Sequence, residues 1–186
     1  SSFHDFLEEQ LGMRTHNETD QKIAEYIIGN IDDNGYLQRP LAAISDDLIF
    51  QAGIDVPPEK INHILQVIQD FEPAGVGAST LQECLLLQLE RRNGTPSNML
   101  AYRIINEMFD SFSKKHYDKI IKQLGITEDE LKAALREIST LSPKPGSAWN
   151  NGTSDSPGEH ITPDFEVYEQ DGELVVNLLS GNLPEL

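Results

Sequence analysis

The residue types that do chemistry are all present in this chain, but their spacing withholds the partners such chemistry requires. Asn30-x-Asp32-x-Asn34-Gly35 copies the first half of a calcium-binding loop, yet its twelfth position is Leu41, where a bidentate Glu must close the coordination shell. The five histidines, His4, His16, His63, His116 and His160, include no pair at metal-ligand spacing, and Cys84 has no second Cys with which to build a zinc knot. Carboxylates are abundant, but their positions follow exposed helix faces and loops, so solvation accounts for them better than a catalytic acid–base pair. Gly75-Val76-Gly77 lies between helices without a preceding strand, and no Gly-rich loop ends in the Lys-Ser/Thr of a phosphate cradle. The expectation is a chain that is not an enzyme and has no catalytic residue, metal or cofactor.

Charge narrows the partners. Acidic residues number 31 against 14 basic ones, a formal net charge of −17, and such a field repels nucleic-acid phosphates. One basic stripe stands out: Lys115, Lys119 and Lys122 lie at four- and three-residue spacing, with Lys114 alongside. It reads as a solvated face opposite Tyr117, Ile120, Ile121 and Leu124, or as an electrostatic contact with a partner. No apolar run approaches the ~20 residues that cross a bilayer, and the N-terminus lacks the plan of a signal peptide. The lone Cys84 packs as a small hydrophobe on a Leu-rich helix. No membrane partner and a cytoplasmic location are expected.

The elements that position these residues are helical. Phe3, Phe6, Leu7 and Leu11 make one stripe that Gly12 ends, giving a helix with a docking face. A second helix runs from about Glu18 to Ile31, capped by Asn17 or Thr15, before Asn34-Gly35 turns the chain. A third carries Leu41, Ile44, Leu48 and Ile49 to Gly53, and a fourth starts at Pro57 or Pro58 with Ile61, Ile64, Leu65 and Ile68 inward. Leu81, Leu85 and Leu89 mark a fifth, with Ser79 and Gln82 reading as its capping box. Asn93-Gly94-Thr95-Pro96 is a breaker and a subdomain boundary. Beyond it come a long helix with Leu100, Ile104, Met108, Phe109 and Phe112, then one with Tyr117, Ile120, Ile121 and Leu124 closed by Gly125. The last, boxed by Thr127 and Glu130, turns Leu131, Leu135 and Ile138 inward. Residues 150–160 are too polar to order themselves, so a mobile loop is expected. The alternation around Asp171-Gly172 predicts a β-hairpin whose apolar face needs a neighbour.

The fold class is therefore mostly α. It consists of an N-terminal helical bundle (1–93), a three-helix bundle resembling a helix-turn-helix (96–145), a flexible loop (146–160) and a small C-terminal β-hairpin extension (161–186). Two segments share a helix-turn-helix silhouette: Leu41 to Ile68 around Gly53-Ile54, and Tyr117 to Ile138 around Gly125-Ile126. A DNA-binding transcriptional regulator is the alternative this supports. Against it, the second candidate recognition helix opens Thr127-Glu128-Asp129-Glu130, and the first offers only Lys60 as a base.

One segment carries more information than the rest. Ile68 to Leu89, IQDFEPAGVGASTLQECLLLQL, joins two apolar-faced helices through a Pro-Gly corner in which Pro73 removes a donor and Gly75 and Gly77 permit positive φ or close approach. It resembles the Gln-x-Phe-Asp-Pro-x-Gly-Val-x-Ala-x-x-Leu-x-Glu-Cys-Leu signature of the core-polymerase-binding domain in enhancer-dependent (nitrogen-type, sigma-54) sigma factors of bacterial RNA polymerase. IDDNGYL (Ile31 to Leu37), LSPKPG (Leu141 to Gly146), ITPDFEV (Ile161 to Val167) and VVNLL (Val175 to Leu179) look like further landmarks of that domain, in order. One departure stands out: the family usually has a basic residue at the place of Ser79 and an acidic one at Thr80, so a charge pair is lost here. The resemblance implies a transcription-initiation module that binds core RNA polymerase, including the flap of its β subunit. It further implies that the AAA+ activator and promoter DNA are engaged mainly by other parts of the parent protein. The candidate interface residues are Phe71, Pro73, Gly75, Val76 and Gly77 at the corner and Lys115, Lys119 and Lys122 on the basic stripe. The corner also reads as an architectural turn, with Phe71 in the core and the glycines as packing devices.

Overall fold

The helix boundaries follow local capping chemistry closely. Each helix leaves its first backbone N–H groups without a partner inside the helix, and in several of them a side-chain oxygen takes one up. Ser2 accepts from the Asp5 amide at the start of α1 (Phe3–Gly12), and Asn17 from the Asp20 amide at the start of α2 (Glu18–Gly29). Gly53 and Gly125, at φ 66° and 65°, end α3 (Leu41–Ala52) and α8 (Tyr117–Leu124) in the left-handed conformation that glycine adopts without penalty. Pro58 opens α4 (Pro58–Gln69), and Pro96 opens α6 (Pro96–Glu107) behind a Thr95–Asn98 capping box. The remaining helices are α5 (Leu81–Glu90), α7 (Phe109–Ser113), α9 (Glu128–Ser139) and a short α10 (Ser147–Asn150).

The computed structural model describes residues 2–14 and 16–150 with the backbone of 165–170 and 173–178. The chain is mostly helical. It divides into two units, Ser1–Cys84 with Lys144–His160, and Leu85–Pro143 with Ile161–Leu186. In the first unit the core gathers Phe3, Leu7 and Leu11 from α1, Ile23, Ile27 and Ile28 from α2, Ile44 and Leu48 from α3, and Ile61, Ile64, Leu65 and Ile68 from α4. The apolar stripe of α1 is thus consumed inside its own unit. In the second unit α6 packs on α9, burying Ala101, Ile104, Leu131, Ala134, Leu135 and Ile138. Across that pairing, Glu137 accepts from both Asn98 and the Arg92 guanidinium. Strands β1 (Phe165–Gln170) and β2 (Glu173–Leu178) pair antiparallel, Phe165 opposite Leu178. The expected turn at Asp171-Gly172 and the expected mobile loop over 151–160 lie outside the described residues.

Three expectations need correction. The long helix through Phe112 is broken at Met108, whose φ of −126° and ψ of 32° depart from helical values. The break lets α6 lie along α9 while α7 turns onto α8, two partners that one straight helix could not serve. The start of the expected flexible loop is instead the single turn of α10. Finally, the cap of α5 is one residue later than its sequence suggests. The Glu83 amide donates to Thr80 Oγ1 at 3.1 Å, and the Glu83 carboxylate reaches back to the Ser79 amide at 2.8 Å, so Thr80 and Glu83 replace Ser79 and Gln82.

Candidate partner interface

The Pro-Gly corner begins where α4 stops at Asp70 and continues through a cis Glu72–Pro73 peptide. Gly75 and Gly77 then take φ of 97° and 86°, a backbone state that side chains with a Cβ rarely adopt. The result is a corner tied to four other segments. Gly77 N donates to Gly35 O at 2.8 Å, and Leu37 N to Ala78 O at 2.9 Å, clamping the corner to the Asn34-Gly35 turn. Gln69 Nε2 donates to Gly77 O at 3.0 Å and to Glu83 at 3.2 Å, bracing α4 against the start of α5. A Cβ on Gly77 would stand 3.1 Å from Gln69 Cγ, so close approach as well as positive φ calls for glycine. From α1, the Gln10 amide donates to Glu72 O at 2.7 Å and accepts from Glu72 N at 2.8 Å, a two-bond ring with the backbone of one residue.

Burial decides what this corner can offer. Phe71 is 1% exposed and Val76 fully buried, with the Arg14 guanidinium 5.2 Å from the Phe71 ring centroid. Gly75 and Gly77 are buried as well, and Pro73 is half-buried. Of the five corner candidates, then, Phe71, Gly75, Val76 and Gly77 have almost no surface for a partner, because the corner spends them on its own packing. Its outward residues are Glu72, Ser79 and Thr80.

The lysine stripe is placed differently. Lys115, Lys119 and Lys122 are exposed; Lys119 and Lys122 lie on α8, whose Ile120 is fully buried, whereas Lys115 precedes that helix. Lys115 has φ 62° at the junction of α7 and α8, an uncommon state for a side chain of this size. Lys114 pairs with Asp110 at 3.3 Å, whereas Lys119 and Lys122 meet no carboxylate among the described residues. The stripe belongs to the second unit and the corner to the first.

The fragments that imitate reactive sites have structural occupations. Asp32 Oδ1 accepts from the amides of Asn34 and Tyr36 at 2.9 and 3.0 Å, and Oδ2 from Gln38 at 2.8 Å, so this carboxylate organises the turn. The Cys84 thiol is buried and hydrogen-bonded with the Tyr36 hydroxyl. Burial, reinforced by Cys84, pushes the Tyr36 phenol well above its ordinary range. Arg39 grips Asp47 through two bonds of 2.7 and 2.9 Å while the Tyr26 hydroxyl donates at 2.6 Å. Arg39 first and Tyr26 second hold that carboxyl below its usual range.

Two features escaped the sequence reading. The chain from Pro145 to Trp149 lies over the Asn34-Gly35 turn and α1: Gly146 N donates to Asn34 O at 2.9 Å, and Trp149 stacks on Phe6 with ring centroids 4.3 Å apart. No periodicity within so short a segment announces such packing. The other is Phe50, which is 84% exposed, beside Ile49 at 38%. Its signal was available, since Phe50 falls off the Ile44–Leu48 stripe by half a helical turn.

Comparison with known proteins adds to this geometry. Residues 1–186 match the family described as Sigma-54 factor, core binding domain. The RNA polymerase sigma-54 factor of Pseudomonas putida strain KT2440 is 33% identical over 178 residues, covering 95% of this chain and 35% of that protein. That of Pseudomonas aeruginosa strain UCBPP-PA14 is 34% identical over 190 residues, covering 100% of the chain and 36% of the relative. The Escherichia coli K12 factor is 32% identical over 183 residues, with 98% and 37% covered. The chain thus spans roughly a third of the length of the curated relatives it matches.

Proposed function

The chain belongs to the sigma-54 core-binding family, and from that membership we propose that it anchors an enhancer-dependent sigma factor to core RNA polymerase, with contacts that include the flap of the β subunit. The observation that carries this reading is the family match over the whole chain. The fate of the corner signature supports it: Gln69, Phe71, Gly75, Val76, Gly77, Glu83 and Cys84 each have a distinct packing or hydrogen-bonding task. A corner fixed in that way holds helices in a set relation, which a rigid docking platform requires.

The role is non-catalytic and located in the cytosol, as membership of the family implies. No described helix is long and apolar enough to cross a membrane. The two helical units act as subdomains. We assign promoter reading and the response to the AAA+ activator to parts of a full-length sigma factor outside these residues. The exposed Lys115, Lys119 and Lys122 supply an electrostatic contact with polymerase or with DNA that polymerase holds. A pull-down with purified core polymerase tests the main reading, and specific retention of nitrogen-regulated promoter DNA by this chain alone would contradict it. Converting the three lysines to Glu should weaken the complex in a salt-dependent manner, and unchanged affinity across a salt series would remove the stripe from the interface.

A further inference from the structure

Phe50 is the largest apolar side chain left almost wholly in water, at 84% exposure among the described residues. It is not isolated. Helical spacing puts Ala42, Asp46 and Phe50 in one row along α3, with Ser45 and Ile49 beside them, and the first part of this row borders a groove of about 470 Å³. The far wall of the groove is the start of α4, with Pro58, Glu59 and Asn62. An aromatic side chain next to a partly apolar cleft is the arrangement from which interface anchors are built. The charge around it has one sign. Asp46, Asp55 and Glu59 are exposed and meet no cation among the described residues, whereas the nearby bases are already spent, Arg39 on Asp47 at 2.7 Å and Lys60 on Asp20 at 3.0 Å.

We propose that this side of α3, with its groove, is a docking surface for a segment that pairs apolar side chains with Lys or Arg. The inference rests on the polymerase-binding reading and adds to it the surface used and the chemistry of the complementary segment. A basic segment fits because its cations meet the unpaired carboxylates while its apolar residues cover Phe50 and enter the groove. Nucleic acid does not fit, since phosphates would face those same carboxylates. A second copy of the chain fits poorly, since two surfaces of equal acidity would be apposed.

The test compares the 186-residue chain with Phe50→Ala and with Asp46→Lys/Glu59→Lys, using fluorescence anisotropy against core polymerase. A parallel titration uses a labelled peptide of Lys, Leu and Phe and its counterpart with Glu in place of Lys. Removing a central aromatic anchor should weaken polymerase binding at least about tenfold, with an unchanged urea midpoint because the ring is exposed. The double reversal should weaken it further in low salt, and only the Lys-containing peptide should bind, in a manner lost with Phe50→Ala. If the unaltered chain binds polymerase and Phe50→Ala binds equally well, this inference is wrong while the polymerase reading stands. A chain that binds no polymerase defeats the reading and the inference together. Concentration-dependent dimerisation abolished by Phe50→Ala would instead assign the face to a second copy and overturn the proposal.

Discussion

Replacing Phe71 with Ala separates a core role from a contact role at the corner. The ring is 1% exposed and packs within the core of the first unit. Its removal leaves a hole on the order of 100 Å³, which at about 24 cal/mol per Å³ costs about 2.4 kcal/mol. Lost transfer of the ring from water adds roughly 1.5–3 kcal/mol. Arg14 sits 5.2 Å from the ring centroid and can settle into part of the gap, which cuts the cavity cost by about half and leaves a total of about 3–4 kcal/mol. With a urea slope of about 2 kcal/mol per M, the midpoint should fall by roughly 1.5–2 M. The assay is built into the fold: the single Trp of the chain, Trp149, stacks on Phe6 within the same unit, so its fluorescence reports the unit that Phe71 supports. A midpoint shift below about 0.5 M, combined with lost polymerase affinity, would refute the argument and return Phe71 to the interface.

Further outcomes follow from particular contacts. Gly146→Ala would place a Cβ 2.7 Å from Asp33 O and 2.9 Å from Phe3 Cε2; it should cost about 1–3 kcal/mol and shift Trp149 fluorescence, and unaltered emission and stability would show that the crossing over the turn is not tightly packed. Thr80→Ala should cost about 1 kcal/mol by urea titration and Ser79→Ala less than about 0.5, with the reverse order restoring the cap to Ser79. Tyr36 has its phenol raised above 10.0 by burial and then Cys84. The folded state therefore resists a deprotonation that the unfolded chain undergoes, so the contribution is complete below about pH 10 and lost as pH rises beyond it. Stability measured against pH should fall less steeply above that point in Tyr36→Phe, and identical slopes would mean that the hydroxyl is not held neutral.

Membership in a family was readable from residues 69–85 because such a corner needs particular backbone freedoms, a missing donor and two glycines, which residue type alone supplies. Helix ends were readable for the same reason. Asn17, Thr127, Gly53 and Gly125 act on backbone groups within a few residues of themselves. Even so, the Thr80 cap was misplaced by one residue, since Ser79 and Thr80 have equivalent hydroxyls and only the path out of the corner selects between them.

What the sequence left undetermined depends on chain segments far apart. Gln10 closes its ring on Glu72 across 62 residues, and Gln88 does the same with the backbone N–H and C=O of Ser142 across 54, at 2.6 and 2.9 Å. Neither amide differs in type from any exposed Gln, and its partner is a backbone group that every residue possesses. Whether Phe71 faces the core or a partner, whether a helix bends at Met108, and that Pro145–Trp149 covers the Asn34-Gly35 turn were likewise decided by which surfaces meet once the chain has packed. Periodicity reports that a residue avoids water; only the assembled tertiary structure specifies what takes the water's place.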